Sequence, residues 1–545
     1  MATVRKYPAG IQSFVSIRKG GYIYIDKTAL IYKMITEGKP YFLSRPRRFG
    51  KSLLISTLSA IFEGKRELFE KFITEDGIEQ PRLYIASTNW KWKKHPVFRF
   101  DFSAGDLHTI QQLDTLIDDT LKTYEHQYGI TPEVPDTNIR MRHLLRAAHE
   151  QTGQGVAVLV DEYDNFILHA LGDKEKTAAA RQRFQNVFGP LKEMDDHLAF
   201  VFVTGISKFS HMGIFSKFNQ LTNISMVPAY DAICGISEEE LTTQMKSDIE
   251  LLAKSKGLSY SEQLAALKRM YDGYHFSERL TDIYNPFSLV NAFKTQVIDN
   301  YWFASGTSGA VIDLLAQMPP ISLSDIDNVE CESKVFDKAF DSYDAPLPVL
   351  YQSGYLTIKN YDRDLELFTL GFPNQEVSRG FADCLYQYVT HRQNTDDMDK
   401  SQFLRAYRLF LRDNDLSAFI DSICTFLSGL PYQMEQYNHN EHHYHALLYT
   451  LLVAFGADVR AEEPTAKGRS DITLLMPKGI YVIELKYNHT ADEALDQIEQ
   501  RGYAEKYRID GRPVILVSLA FSSEKCNITE WKSKLLPSTS QSIEE

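Results

Sequence analysis

Three groups of residues in this chain have types and spacings suited to chemistry on phosphates. The first is the run Arg45-Pro46-Arg47-Arg48-Phe49-Gly50-Lys51-Ser52, a loop ending in Gly-Lys-Ser. The second is Asp161-Glu162, two acids that close the apolar run 156–160. The third is Asp471 with Glu484 and Lys486, preceded by Glu441.

A loop that follows a strand and ends at a helix N-terminus turns backbone N–H groups and the helix dipole toward an anion. Gly50 permits close backbone approach, Lys51 is expected to reach the β- and γ-phosphates, and Ser52 to ligate Mg²⁺ through its hydroxyl. The wrapping segment is expected to run from Arg45 through Arg47, Arg48, Phe49, Gly50, Lys51 and Ser52 to Leu53. Position 45 is a glycine in the usual motif and Arg here, so the loop is a variant in which Arg45, Arg47 and Arg48 add positive charge. The expected ligand is ATP with Mg²⁺. Asp161 would hold the metal, and Glu162 would orient and deprotonate the attacking water. Thr204, closing the apolar run 199–203, stands where a γ-phosphate sensor would stand.

In the third group, Glu484 and Lys486 are two apart, so a strand puts both on one sheet face. The runs 470–475 and 481–486, separated by Met-Pro-Lys-Gly, form a hairpin that brings in Asp471. Two carboxylates and an ammonium group suit metal-dependent phosphodiester cleavage: Asp471 and Glu484 as Mg²⁺ ligands, Lys486 as charge stabiliser. Glu441 opens a helix whose face carries Tyr444, His445, Leu448 and Leu452, and is expected to project toward the same metal. Gln497 and Tyr503 lie on a following helix that would cover the hairpin. His439, His442, His443 and His445 cluster, but without a cysteine nearby they read as helix residues rather than a zinc site.

The elements needed to position these groups alternate. The strand at 41–43 precedes the loop, and Leu53, Leu54, Thr57, Leu58, Ile61 and Phe62 recur after it at helical spacing. The runs 96–102, 156–160 and 199–203 read as strands separated by helices, which predicts a parallel α/β sheet. From about residue 237 the pattern is helical. The expected order is a P-loop domain at 1–235, a helical lid at 236–345 and a mostly helical connector at 346–435. A second α/β domain at 436–530 and a disordered tail at 531–545 would follow. Within the connector, 349–358 reads as short strands and 392–440 as polar helix. The aromatic runs 89–92 and 301–303 read as packing residues rather than base-stacking ones.

A net charge of −13 excludes a basic coat, so any DNA or RNA contact must be local. Five cysteines without a close pair suggest reduced thiols. No run of about 18 apolar residues occurs, so the expectation is a cytoplasmic protein without membrane contact.

The segments YIDKT, RPRRFGKSLL, LVDEYD, VTGISKFSHMGIFSKFNQLTNIS and YDGYHF, in that order along the chain, resemble the AAA-ATPase-like family of prokaryotic P-loop proteins over residues 5–235, with related features continuing to about residue 310. The resemblance implies an ATPase core followed by a helical lid, and marks Asp26 and Lys208 as characteristic positions with structural roles. Residues 436–520 resemble the PD-(D/E)XK nuclease superfamily, as found at the C-terminus of this same family. Ser470 stands where that motif has proline.

The leading expectation is an ATPase coupled to a metal-dependent nuclease. The second is an ATP-dependent switch whose C-terminal domain only binds nucleic acid or a partner, and the third a small-molecule kinase. An arginine supplied by a neighbouring copy, and hence a homo-oligomer, is common in such ATPases, but no arginine can be selected for that role from the sequence.

Overall fold

The apolar runs that close on Ser44, Asp161 and Gly205 become adjacent parallel strands, and this adjacency builds the first site. In the computed structural model the strands are β1 (Pro40–Ser44), β2 (Val97–Asp101), β3 (Val156–Asp161), β4 (Leu198–Gly205) and β5 (Thr222–Asn223), in the spatial order β2-β3-β4-β1-β5. Every pairing in this sheet is parallel. The structure describes all residues except 1–4, 104–106, 133, 171–172, 208–220, 305–325, 338–345, 390–404, 407–409, 411–414, 429–440, 455–456, 458, 466–467, 477, 509 and 537–545.

β3 is buried along its whole length, which explains its unbroken Val-Ala-Val-Leu-Val run. β2 alternates instead. Phe98 and Phe100 enter the core with Val158, Val160, Phe184 and Phe188, while Arg99 and Asp101 take the other face. The helix α1 (Lys51–Phe62) follows β1 directly after the loop and buries Leu54, Ile55, Leu58, Ile61 and Phe62. A second core, around Leu241, Ile249, Leu267, Tyr271, Leu289 and Phe293, holds the helical segment that follows the sheet.

The chain divides into two compact units, Met1–Ser305 with Val329–Glu376, and Gly306–Asn328 with Val377–Glu545. The first part of the expected connector therefore folds with the first unit. There β6 (Val329–Glu332), β7 (Thr357–Asp362) and β8 (Leu367–Gly371) form an antiparallel sheet in the order β6-β8-β7. The expected strands at 349–358 begin as a helix, Pro346–Ser353, and only Thr357 and Ile358 enter a strand. A short apolar run does not distinguish the two by periodicity. Gly354, at φ +89°, makes the turn between them. Most of 392–440 lies outside the described residues. The helix Leu416–Ser428 within it is not polar throughout, for it buries Phe419, Ile420, Ile423 and Leu427.

The second unit contains β9 (Val459–Thr465), β10 (Gly468–Met476), β11 (Gly479–Tyr487), β12 (Val514–Ser522) and β13 (Asn527–Leu535), in sequential spatial order. Only β11 and β12 are parallel. Their crossover contains a helix, Ala491–Arg501, whose Ile498 packs on Ile480, Val482 and Leu516. The expected disordered tail begins too early: residues 531–535 belong to β13, paired with β12 from Leu535↔Ile515 to Trp531↔Leu519. The polar side chains of this edge strand hid it, and lysines such as Lys532 and Lys534 are what an exposed sheet edge favours.

Candidate functional sites

The loop after β1 is held from both sides. Gly50 sits at φ +95° as the cap of α1 and offers no side chain to the first helical N–H groups. Those donors and the helix dipole give this end a positive potential suited to an anion. Lys51, 4% exposed, donates from Nζ to the carbonyls of Arg45 at 2.9 Å and Pro46 at 3.0 Å. The Trp302 indole donates to Arg47 O at 3.1 Å, and the Gly235 amide to Phe49 O at 3.0 Å. Phe49 is buried edge-on against Tyr274 at 4.7 Å.

The arginines do not act as one positive rim. Arg45 is buried, donates to the carbonyls of Ser44, Ser225 and Tyr230, and lies 3.9 Å from the Phe276 ring centroid. Its charge is spent inside the fold, contrary to the expectation that it faces phosphate. Arg48 is exposed over Phe287. Thr204 is fully buried and donates to Leu43 O at 2.8 Å, so its proton ties β4 to β1 instead of sensing a phosphate.

Asp161 lies at the buried end of β3, beside Ser52 and within the field of Lys51. Among the described residues, neither of its carboxylate oxygens has a well-formed hydrogen bond. Burial pushes its carboxyl up to about 6; Ser52 opposes this, while Glu162 and Asp101 add to it. An orphaned, buried carboxylate beside a serine hydroxyl fits a hard cation such as Mg²⁺. Glu162 follows at φ +48°, a conformation that costs a non-glycine residue about 1–3 kcal/mol and turns the chain sharply at the strand end. Asp164 next anchors the end of β4, accepting from the Ile206 amide at 2.9 Å and Ser207 Oγ at 2.6 Å.

Arg99 and Asp101 join this site without belonging to any of its sequence motifs. Asp101 is the register partner of Asp161, and Arg99 lies 3.1 Å from Asp101 and 4.0 Å from Asp161. The polar positions in the alternating run Val-Phe-Arg-Phe-Asp-Phe were the available signal. Asp26 accepts from Thr28 and from the Tyr84 amide, a structural role. Lys208 lies outside the described residues. The aromatic runs pack: Trp92 against Phe69, and Trp302 against Phe303 and Tyr355.

In the second unit the hairpin and the helix α2 (Glu441–Ala454) bring the expected residues together. Glu484 is 1% exposed. Its Oε1 accepts from Gln497 Nε2 and lies 3.7 Å from Lys486 Nζ, while Oε2 has no partner among the described residues. Gln497 also reaches the Tyr503 hydroxyl at 3.4 Å. Lys486 donates to Glu441 Oε1 at 3.1 Å, and the Tyr487 amide to Glu441 Oε2 at 3.4 Å. Asp471 accepts from the Leu485 amide at 2.8 Å across the hairpin. His445 contacts the Asp471 carbonyl at 2.8 Å. His439 and the side chains of His442 and His443 lie outside the described residues.

Burial, then the Asp471 charge, pushes Glu484 up to about 8, and burial also raises Asp471. A carboxyl with one free, buried oxygen and an acidic neighbour suits a divalent cation, whose charge would offset both costs. One three-acid group of ligand spacing occurs elsewhere among the described residues: Glu238, Asp272 and Asp282. Lys268 fills it, with Nζ at 2.6, 3.6 and 2.8 Å from those carboxylates respectively.

A Gly-Lys-Ser loop between strand and helix on a parallel sheet, with a buried acid two strands away, has the form of a P-loop unit, and the acid-acid-lysine hairpin has the form of a PD-(D/E)XK-type unit. Comparison with known proteins agrees. Residues 8–215 match the family described as predicted AAA-ATPase, and residues 439–531 match the PD-(D/E)XK nuclease superfamily. The chain belongs to the AAA-ATPase-like family, with a C-terminal PD-(D/E)XK nuclease-superfamily domain. It is 32% identical over 536 residues to an "Uncharacterized protein in vnfD 5'region" of Azotobacter chroococcum mcd 1, covering 96% of this chain and 98% of that protein. No helix among the described residues is long and apolar enough to cross a membrane.

Proposed function

We propose that the first unit hydrolyses ATP and that the second cleaves nucleic acid in a metal-dependent reaction. The supporting observation is that each site buries a carboxylate, Asp161 or Glu484, with an oxygen that has no well-formed hydrogen bond among the described residues. In the first site the uncapped amides of α1 and Lys51 hold the triphosphate. Glu162 takes a proton from water as the water oxygen bonds to the γ-phosphorus. The bond to the β–γ bridging oxygen breaks and its electron pair leaves with ADP. In the second site Asp471 and Glu484 are the metal ligands, Lys486 stabilises charge on the scissile phosphate, and Glu441 orients Lys486. Mg²⁺, when bound, neutralises phosphate charge at the first site and supplies a polarised phosphate and activated water at the second. Cysteines without disulfides fit a reducing compartment, so we place the protein in the cytoplasm.

The test is incubation of the full chain with labelled single- and double-stranded DNA and RNA, with and without ATP and with Mg²⁺ or Mn²⁺. Cleavage that disappears in Glu484→Ala, and ATP hydrolysis that disappears in Lys51→Ala, support the reading. Nucleic-acid binding without cleavage at any metal concentration replaces it with the switch reading.

A further inference from the structure

The geometry points to Arg99 as a catalytic arginine of the ATP site, a guanidinium supplied in cis to the γ-phosphoryl group. This rests on the ATPase reading above and deepens it. Among the described residues, Arg99 is the one cation within 4.0 Å of Asp161, the buried acid beside Ser52. Two of the loop's own arginines are engaged elsewhere. Arg45 is enclosed by three carbonyls and the Phe276 ring, and Arg48 lies over Phe287.

The backbone under Arg99 is fixed on both sides. Its amide donates to the Tyr124 hydroxyl at 2.7 Å, and that hydroxyl is 3.3 Å from its carbonyl. Phe98 stacks on the same tyrosine at 4.5 Å. The guanidinium is bound less completely. It donates to Asp101 at 3.1 Å, its Nε is buried without a partner among the described residues, and its side chain is 35% exposed. Asp101 is also held at its other oxygen, Oδ1, by the Ser103 amide and hydroxyl, so its own position does not depend on Arg99. A rigid base and a loosely held charged end, beside the acid expected to share the nucleotide's metal, are what a transition-state cation requires.

When water attacks the γ-phosphorus and the bridging bond breaks toward ADP, charge spreads over the phosphoryl oxygens. Arg99 stabilises that charge without bonding covalently and without gaining or losing a proton.

Full-length wild type and Arg99→Ala are compared for ATP affinity, for affinity toward ADP with aluminium fluoride, and for turnover. Arg99→Ala is expected to keep ATP affinity within about threefold while turnover and the affinity for the aluminium fluoride complex each fall about 100-fold or more. Guanidinium ion at about 20 mM, far below denaturing levels, restores about tenfold of that turnover by occupying the vacated position. Arg99→Gln, which keeps the packing stem, gives the same pattern if the alanine variant does not fold. Folded variants with wild-type turnover overturn the assignment, as does equal loss of ATP and aluminium fluoride complex affinity. A wild type that neither binds nor hydrolyses ATP overturns the ATPase reading itself, and Arg99 with it.

Discussion

Lys486 and Glu441 form an ion pair at 3.1 Å, linking the third strand of the C-terminal sheet to the first residue of a helix 45 positions earlier. The contact places Glu441 at the edge of the carboxylate pair Asp471 and Glu484, while Oε2 of Glu484 has no partner among the described residues.

Glu441 and Glu484 should therefore be separable by mutation. Glu484→Gln is expected to abolish Mn²⁺-dependent cleavage. Glu441→Gln, which acts through Lys486, should lower cleavage by about 10–100-fold, as outer partners of metal sites do. Side-by-side cleavage rates and Mn²⁺ titrations by calorimetry measure this.

The pH dependence follows from Glu484. With its carboxyl pushed up to about 8, the metal-free site carries a proton at neutral pH, and binding a cation must release it. Metal affinity should rise with pH toward about 8 and flatten above it. The linkage has the opposite sign for stability. The folded chain binds this proton more tightly than the unfolded one, so without metal this contribution is lost as pH rises from about 4.5 to about 8. Glu484→Gln should raise the metal-free melting temperature at pH 8.5 but not at pH 4.5.

Lys51 and Arg45 should give contrasting phenotypes. Lys51→Ala should abolish ATP hydrolysis while the chain stays folded. Arg45→Ala strands the Ser225 and Tyr230 carbonyls and removes the stacking on Phe276, so it should cost about 2–4 kcal/mol of stability. Chemical denaturation of both variants separates the two effects.

Trp302 should report on the nucleotide. Its indole bonds to Arg47 O, and on the proposed reading a bound phosphate would draw Lys51 from the neighbouring carbonyls of Arg45 and Pro46. Adding ATP with Mg²⁺ is expected to change tryptophan emission. Trp302→Phe should remove most of that change, although Trp90, Trp92 and Trp531 remain.

Local chemistry made much of this chain legible. The Gly50-Lys51-Ser52 turn, the buried Val-Ala-Val-Leu-Val run ending on Asp161, and the alternation that puts Glu484 beside Lys486 each depend on neighbours in sequence. Their elements follow from periods of 2 and 3.6 residues. The helix at 346–353 and the strand through residues 531–535 differ from expectation because short apolar runs and polar edge strands lack a decisive period.

The sequence by itself determined the two kinds of fold, the phosphate loop and the acid-acid-lysine hairpin, since backbone propensity and side-chain alternation encode these locally. Only the tertiary structure decided where each charge goes. It turned Arg45 inward onto carbonyls, engaged the Thr204 proton on β1, and brought Arg99 to 4.0 Å from Asp161 across a strand pairing spanning some sixty residues. The physical reason is that a side chain's partners depend on sheet order and on which groups burial leaves unsatisfied, and neither is written in the spacing along the chain.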